Sequence, residues 1–300
     1  MTGACKSRFI PGMLYYMFTL LLLSGCIAEN TDDCFKGIPL KVNLPADIPQ
    51  EAIADMSLYV FDDKDLLLDI LPLTGPEPVI LNYPGIPTLH CVGLCNVQDG
   101  SMALCPLKKG DPCSECFISL KPFASARAGE PGMFTSPSDL MHGELTIENK
   151  TTSGRAEDHI MKVSRMTASL NITLRGLQTL TGMDDENYLI IIHETYSRMD
   201  FGGNYGDDPA YLCPPMTLAA NKDFEVSMCR LFPAINGGGI TIDIYHDRDL
   251  IKSVTTDGSG NPIVPIVGKT TNLLLNFESS VDVEIKVTGW GETVVWKEYN

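Results

Sequence analysis

The chain has 300 residues, with 38 acidic and 22 basic side chains that give a formal charge of −16 at neutral pH. Because so acidic a surface repels nucleic acids and anionic lipid headgroups, DNA or RNA binding is not expected. An apolar content of 44% is typical of a globular protein and excludes a disordered one.

The N-terminus has the features of a bacterial lipoprotein signal peptide. Two basic residues precede a short apolar run, residues 13–23, which falls short of the roughly 20 apolar residues of a membrane span. The run ends in Leu23-Ser24-Gly25-Cys26, which resembles the bacterial lipobox. The lipobox implies that the signal peptide, residues 1–25, is removed and that Cys26 carries diacylglycerol. Residues 26–37 are then a lipidated tether, and several acyl chains hold it durably in a membrane.

The mature chain is predicted to lie on the cell surface. Removal of residues 1–25 takes away two basic side chains and no acid, so 20 basic and 38 acidic side chains remain, with a charge of −18. Ile27, rather than an aspartate, follows Cys26, which in lipobox proteins favours the outer membrane. The acidic stretch that follows weakly resembles the surface-export signals of Bacteroidetes lipoproteins. We therefore expect a lipid-anchored, surface-exposed protein of the outer membrane.

Alternating polarity predicts an all-β chain. Three segments alternate most cleanly: Met166–Leu174, Ile240–Ile244 and Val281–Val287. Because alternate side chains enter a core while the others meet water, such segments predict half-buried antiparallel strands. Further strands are predicted at Ile38–Leu44, Met56–Phe61, Leu66–Leu71, Phe117–Leu120, Tyr188–His193, Phe224–Met228 and Asn272–Phe277. Many short strands with frequent turns between them indicate β-sandwich architecture.

The length of the mature chain suits two domains. About 275 residues remain after processing, enough for two domains of ordinary size. The polar, glycine-containing segment Asn149–Glu157 predicts a boundary between residues 38–155 and residues 156–300. We expect one antiparallel β-sandwich on each side of it.

Ten cysteines are present, and the two N-terminal ones, Cys5 and Cys26, are accounted for by processing and lipidation. Eight cysteines remain, and an even number of cysteines in an oxidising envelope predicts disulfides. Cys213 and Cys229 stand apart and form a candidate pair. Six cysteines have a pairing that the sequence leaves open: Cys34, Cys91, Cys95, Cys105, Cys113 and Cys116. Paired spacings among them leave zinc binding or free thiols as alternatives, but the compartment favours disulfides, and no metal is predicted.

The sequence has no Gly-x-Ser-x-Gly nucleophile elbow, phosphate loop or His-Glu-x-x-His motif. His246-Asp247-Arg248-Asp249 predicts a charged hairpin turn rather than a metal or acid/base site. Asp62-Asp63-Lys64-Asp65 predicts a solvated turn, since it lacks the glycine and terminal glutamate of a calcium loop. The segment Tyr196–Tyr211 predicts a long surface loop, with sugar or partner binding as the alternative. We expect a non-enzymatic protein without a cofactor.

Four motifs, taken in order, resemble those of a known family. They are the lipobox followed by Asp32-Asp33-Cys34, the hairpin strand Leu58–Asp62, the segment Val163–Ile172 and the closing stretch Asn272–Trp290. Together they resemble the FimB-type anchor fimbrillins of Bacteroidales, the membrane-anchored subunits of type V fimbriae. The cysteine-rich segment between Cys91 and Cys116 departs from that pattern.

This resemblance implies two transthyretin-like β-sandwich domains and a role in attaching a fimbria to the outer membrane and limiting its length. Stalk subunits of such fimbriae lose an N-terminal strand by proteolysis and accept a donor strand from a neighbour. A lipidated anchor would keep its first strand, here Ile38–Leu44, and so terminate the fibre. The implied partners are fimbrial stalk subunits, with Thr293–Trp296 as a hypothetical donor segment. A surface glycan-binding lipoprotein is the alternative, since it shares the lipobox, the acidity and the sandwiches.

Overall fold

The computed structural model of the chain describes residues 37–75, 77–98, 100–122, 132–149, 158–206, 209–278 and 282–296. The predicted signal peptide, the lipidation site Cys26 and Cys34 lie outside the described residues. Within these ranges, no helix combines the length and the apolar character that crossing a bilayer requires.

The described residues form 21 strands, which confirms the prediction of an all-β protein. Strands β1 to β11 are Ile38–Asn43, Met56–Phe61, Leu67–Pro72, Val79–Leu81, Thr88–Cys95, Met102–Leu104, Phe117–Leu120, Met133–Phe134, Met141–Glu148, His159–Lys162 and Ser164–Arg165. Strands β12 to β21 are Ala168–Arg175, Tyr188–Tyr196, Arg198–Asp200, Pro209–Leu212, Thr217–Leu218, Phe224–Leu231, Thr241–His246, Asp249–Val254, Thr270–Asn276 and Asp282–Thr288. One short α-helix, α1, is Leu177–Thr181, and short 3-10 turns lie at Gln50–Ala52, Cys113–Glu115 and Ile235–Gly237.

Most predicted strands lie where the polarity pattern puts them. β2 and β7 have the predicted bounds, and β1 ends one residue earlier than predicted, at Asn43. The pattern misses β5 and β9, the central strands of their sheet. In β5 the five residues Cys91–Cys95 are all buried. A strand that is covered on both faces shows no alternation of polarity, so periodicity gives no signal for it.

The first sandwich consists of two sheets, with the strand orders β10-β1-β4 and β11-β9-β5-β2-β3. Gly93 and Gly143 face each other on β5 and β9. A Cβ atom at Gly143 would lie 2.6 Å from the carbonyl oxygen of Lys162. Glycine at this crossing therefore lets the end of β10 run directly over the second sheet. An apolar cluster lies between the two sheets: Val42, Met56, Cys95, Met141 and Val163.

The second sandwich pairs the sheets β16-β17-β12-β20-β21 and β19-β18-β13-β15-β8. The ring of Tyr188 on β13 lies 5.0 Å from that of Phe224 on β17, so aromatic side chains of the two sheets meet in the core. Three strand pairs are parallel, β1 with β10, β12 with β20 and β15 with β8. The other pairs of described strands are antiparallel, as predicted.

A small third sheet, β14-β7-β6, joins the two sandwiches. Phe201 directly follows β14 and is fully buried, and its ring lies 4.8 Å from that of Tyr59 and 6.3 Å from that of Phe61. His142 Nε2 lies 2.7 Å from the carbonyl oxygen of Phe201. Many buried residues of the two sandwiches consequently belong to one apolar cluster, which is separate from the cluster between the sheets of the first sandwich.

Strands also pair across position 155, where the sequence predicts a domain boundary. β10 and β11 follow that position, and they pair with β1 and β9, which precede it. The division into residues 38–155 and residues 156–300 stays a prediction.

Candidate functional site: the first strand and the C-terminal segment

The first strand, β1, lies in the middle of its sheet and is paired on both sides. Leu40 stands opposite His159 of β10 in a parallel pair, and Ile38 stands opposite Leu81 of β4 in an antiparallel pair. Ile38 is 7% exposed and Leu40 only 1%. Neighbouring strands of a sheet lie about 4.8 Å apart, so β1 fills the one-strand space between β10 and β4.

The entry into β1 depends on a glycine. Gly37 has a φ of 81°, in the left-handed region where a side chain is strained. A Cβ atom at this position would also overlap the side chain of Ile80 and crowd the backbone of Leu81 on β4. The chain therefore joins the sheet directly at Gly37, immediately after the predicted tether.

The C-terminal segment, residues 289–296, leaves the fold after the edge strand β21. A tight turn begins it, in which the Gly289 N–H donates to Glu292 Oε2 over 3.0 Å. Residues 293–296 belong to no strand, and Val295 is 91% exposed. The ammonium group of Lys286 lies 4.4 Å from the centre of the Trp296 ring, and this contact holds the segment beside β21. Residues 293–296 are thus a mainly apolar segment that is paired with no sheet.

The base of the C-terminal segment is attached to the first sandwich through Arg165. The Arg165 Nε donates to Asp139 Oδ2 over 3.0 Å, and Nη1 donates to Asp47. The guanidinium carbon lies 4.4 Å from the centre of the Trp290 ring. Arginine stacked on tryptophan is a favourable cation–π arrangement. One side chain therefore connects the β1–β2 loop, the start of β9 and the base of the C-terminal segment.

The aromatic side chains of the predicted loop Tyr196–Tyr211 pack into the fold. Tyr196 and Tyr205 stack with ring centres 5.5 Å apart, and the Tyr205 hydroxyl donates to the carbonyl oxygen of Met166 over 2.7 Å. Burial raises the pKa of Tyr205 well above its ordinary value. Tyr211 stacks on His193 at 5.3 Å. The described aromatic residues of this segment are half-buried or buried, and they form no exposed platform of the kind that stacks on sugars.

The two acidic motifs are turns, as predicted. Asp62 Oδ1 accepts the N–H groups of Lys64 and Leu66, both over 2.9 Å, which closes the β2–β3 hairpin. His246 pairs with Asp249 at the end of the β18–β19 hairpin. In the part of the chain that the structure describes, no three His, Cys, Asp or Glu side chains are grouped as a metal ion would require.

The seven described cysteines have free thiols in the structure: Cys91, Cys95, Cys105, Cys113, Cys116, Cys213 and Cys229. Cys91 and Cys95 are four residues apart on β5, and strand geometry separates their Cα atoms by roughly 13 Å. That is too far for a disulfide between them. Burial raises the pKa of both thiols to about 12, so neither is a reactive thiolate at neutral pH.

The candidate pair, Cys213 and Cys229, lies in the second sandwich. Leu212, the residue before Cys213, ends β15 in one sheet of the second sandwich, and Cys229 lies on β17 in the other sheet. Burial raises the pKa of Cys229 to about 12, and the nearby Cys213 adds to this effect. The two cysteines are therefore neighbours in the fold, and their disulfide stays a prediction.

Comparison with known proteins gives matches over nearly the whole chain. The family model described as "Fimbrillin-A associated anchor proteins Mfa1 and Mfa2" matches residues 31–296. The major fimbrium anchoring subunit FimB of Porphyromonas gingivalis (strain ATCC 33277) is 24% identical, over 95% of this chain and 98% of its own length.

Solved structures share the fold. The fimbrial anchor protein Mfa2 from Porphyromonas gingivalis aligns with a TM-score of 0.54 and 16% identity, over 85% of this chain and 98% of its own. A candidate polysaccharide-binding protein of Bacteroides thetaiotaomicron aligns with a TM-score of 0.62 and 15% identity, over 86% of this chain and 98% of its own. At identities this low, the structural alignments show a shared fold only, and the information on function comes from the family match. Since the family model spans every described residue, the chain belongs to the family of fimbrillin-A associated anchor proteins.

Proposed function

We propose that the chain is a structural, non-enzymatic subunit that attaches a fimbria to the outer membrane and terminates the fibre. The observation that carries this proposal is the pairing of β1 on both sides, with β10 and with β4. Strand addition needs an open sheet edge or an empty slot. A subunit whose own first strand fills that slot cannot accept a strand there from another subunit, and this is what the base of a fibre requires.

The lipid and the first strand are close together along the chain. Residues 27–37 separate Cys26 from β1, and a fully extended segment of that length reaches about 40 Å at most. A lipidated Cys26 would thus hold β1, and the sheet it belongs to, near the membrane. Tension on the fibre would pass along β1, through the tether and into the lipid.

Substitution of the lipidation site tests the attachment to the membrane. In Cys26→Ser, no thioether to diacylglycerol can form, so we expect loss of palmitate labelling and release of fimbriae into the medium. Labelled palmitate in the immunoprecipitated protein, together with fimbrillin in cell and medium fractions, measures both effects. Cys5→Ser is the matched control, because this cysteine is removed with the signal peptide. Cell-bound fimbriae at the wild-type level in Cys26→Ser would contradict the lipid anchor.

The C-terminal segment is the proposed donor to the first stalk subunit. Residues 293–296 pair with no strand, and the apolar side chain of Val295 is turned to solvent. An unpaired, mainly apolar segment of this kind gains both main-chain hydrogen bonds and burial when it enters a slot in a partner as a strand. Trp296 adds a large ring, whose present contact is the exposed face of β21.

Deletion of residues 292–300 is expected to leave the lipoprotein in the outer membrane and to release the fimbriae from it. Fimbrillin in the medium and lipoprotein in the membrane fraction are the two measurements. Leu250→Ala, at a half-exposed apolar residue on β19, is the control and is expected to keep fimbriae attached. Attached fimbriae in the deletion variant would reject donation by this segment.

Recovery of the lipoprotein from intact cells distinguishes the anchor from a surface glycan-binding lipoprotein. The anchor is expected to carry with it a ladder of polymeric fimbrillin after mild cross-linking. A glycan-binding protein would instead be recovered without fimbrillin and be eluted by sugar. The described aromatic residues between Tyr196 and Tyr211 are packed against the protein, which argues against the second outcome.

The candidate disulfide between Cys213 and Cys229 belongs to the same proposal. Export of the chain would bring both thiols into an oxidising compartment. The nearby Cys213 raises the pKa of the Cys229 thiol, and this closeness of the two side chains supports a bridge between them.

A further inference from the structure

The cysteine-rich segment brings two thiols together at the small third sheet. Leu104 on β6 stands opposite Ile118 on β7, so the next residue, Cys105, stands opposite Phe117. The Phe117 N–H donates to Cys105 Sγ over 3.2 Å, and the Cys105 N–H donates to the Phe117 carbonyl over 3.0 Å. Phe117 N is two covalent bonds from the Cα atom of Cys116. The Cys105 sulfur therefore lies against the backbone of Cys116.

The side chain of Cys116 turns toward that sulfur. Its thiol donates to the carbonyl of Pro112 over 3.4 Å and is also within hydrogen-bonding reach of the Cys105 thiol. Burial raises the pKa of Cys116 to about 12, and the neighbouring sulfur of Cys105 contributes to this more than that of Cys113 does. Cys113 lies one 3-10 turn away, and burial together with the charges of Asp65, Glu144 and Asp200 raises its pKa to about 12.

We propose that Cys105 and Cys116 form a disulfide that fastens the joint between the two sandwiches. The proposal rests on export of the chain, because the bond needs an oxidising compartment. Cys105 is half-buried while Cys116 is buried, so the oxidant reaches Cys105 first. The Cys105 thiolate attacks a disulfide of an oxidoreductase or of a small thiol and forms a mixed disulfide. Cys116, deprotonated in turn, attacks Cys105 Sγ and releases the oxidant as a thiol. Two protons and two electrons leave the cysteine pair, and the oxidant's disulfide becomes two thiols.

The bond would fix a loop on which several elements depend. Within the loop between β6 and β7, the Cys113 N–H donates to the Asp65 carbonyl over 2.8 Å, which ties it to the β2–β3 hairpin. The Phe201 N–H donates to the Cys116 carbonyl over 3.1 Å, which ties it to the third sheet. Cys116 is thus bound to the residue whose ring enters the first sandwich, and a covalent link from it to the end of β6 would hold its carbonyl group in place for that hydrogen bond.

Peptide mapping tests the pairing directly. Cleavage before aspartate and after glutamate places Cys105 in residues 99–110, Cys113 in residues 111–115 and Cys116 in residues 116–130, so each possible bond has its own mass. The full-length lipoprotein purified from cells is mapped without reduction, and a second sample is reduced and re-oxidised with oxidised glutathione. We expect residues 99–110 to be linked to residues 116–130 in both samples. A link that involves residues 111–115, or free Cys105 and Cys116 after glutathione treatment, would overturn the pairing. A link that forms only with glutathione would overturn the proposal for the cell, and would point to failed export.

Unfolding measurements test the stabilising effect of the proposed bond. A bond between residues 105 and 116 closes a loop of 12 residues, for which the chain-entropy account predicts about a 100-fold effect on the unfolding equilibrium. We expect reduction of the wild type to raise its unfolding constant by at least that factor, because reduction also opens the proposed Cys213–Cys229 bond. The response of Cys105→Ser/Cys116→Ser to reductant should be about 100-fold smaller than that of the wild type. Cys113→Ser is the matched control and should keep the wild-type response. An equal response to reductant in the double variant and the wild type would refute the bond.

Discussion

Leu40→Asp is expected to release β1 from its sheet and to destabilise the protein by about 4 kcal/mol or more. Truncation of a fully buried leucine to alanine alone costs about 2–5 kcal/mol, and an unpaired carboxylate adds the cost of its desolvation. Leu40 is 1% exposed and stands opposite His159 and Val79, one on each neighbouring strand. Urea unfolding of the purified protein measures the effect. Lys41→Asp, one residue along on the exposed face of β1, is the control and is expected to lie within about 1 kcal/mol of the wild type.

Release of β1 also has a functional readout, because it empties the space between β10 and β4. A synthetic peptide of residues 37–45 is expected to bind the Leu40→Asp protein. It should not bind the wild type, in which β1 occupies the space between β10 and β4. The same peptide with aspartate at position 40 should bind neither protein. On cells, fimbriae carried by the variant should be longer than those of the wild type, since their base can then accept a strand. Refusal of the peptide by a folded variant would show that β1 does not fill a strand-accepting slot.

The strands around β1 differ in how far the sequence predicts them. β1 itself is predictable, because Ile38, Leu40 and Val42 alternate with residues that face outward. Its neighbours are not, since β4 has three residues and β10 has four, too few to show a period of two. The parallel pairing of β1 with β10 joins residues about 120 positions apart. Such a contact depends on tertiary packing at Gly93 and Gly143, which local polarity does not encode.

The sequence predicts the C-terminal segment only in part as well. Val294, Val295 and Trp296 are apolar in a row, which predicts a strand-like segment but not whether a sheet takes it up. The structure supplies the missing information: β21 is the edge strand, and nothing is paired beyond it among the described residues. Arg165 gives no sequence signal at all. Its partners Asp47 and Asp139 lie 118 and 26 residues away, and only the folded chain brings them together.

Arg165→Met is expected to destabilise the protein by about 3–5 kcal/mol at neutral pH, the usual cost of removing one partner from a buried ion pair. The Arg165 side chain is 7% exposed and that of Asp139 is 14% exposed. Methionine keeps much of the side-chain volume, so the loss of stability measures mainly the cost of leaving the Asp139 carboxylate without its partner. Lys109→Met breaks the exposed pair with Asp69, in which the lysine side chain is 74% exposed. For this control we expect less than about 1 kcal/mol.

The loss of stability in Arg165→Met should depend on pH, and the direction of this dependence follows from the carboxyl groups of Asp139 and Asp47. Burial raises the pKa of Asp139 although Arg165 opposes the rise, so loss of the arginine raises that pKa further. A carboxyl group whose pKa is higher in the folded state destabilises the fold at high pH, and this penalty is relieved as pH falls through the folded pKa. The hydrogen bond from Arg165 lowers the pKa of Asp47, so the stability that Asp47 contributes to the wild type is fully present above 3.8 and is lost only as pH falls through the lower folded pKa. The Asp139 effect therefore makes the deficit largest at neutral pH and smaller toward pH 4, while the Asp47 contribution to the deficit falls only below that range.

Urea unfolding of both proteins from neutral pH down to about pH 4 measures this difference, and Arg165→Met/Asp139→Asn should recover much of the lost stability at neutral pH. A deficit that stays constant with pH would show that the guanidinium acts through packing alone.

The Arg165→Met variant also reports on the C-terminal segment, because Trp290 loses the group that stacks on it. The chain has two tryptophans, so Trp296→Phe leaves Trp290 as the single emitter. Its fluorescence should move to longer wavelength in Arg165→Met as the ring becomes exposed. An unchanged spectrum would mean that the base of the proposed donor segment is held by contacts other than Arg165.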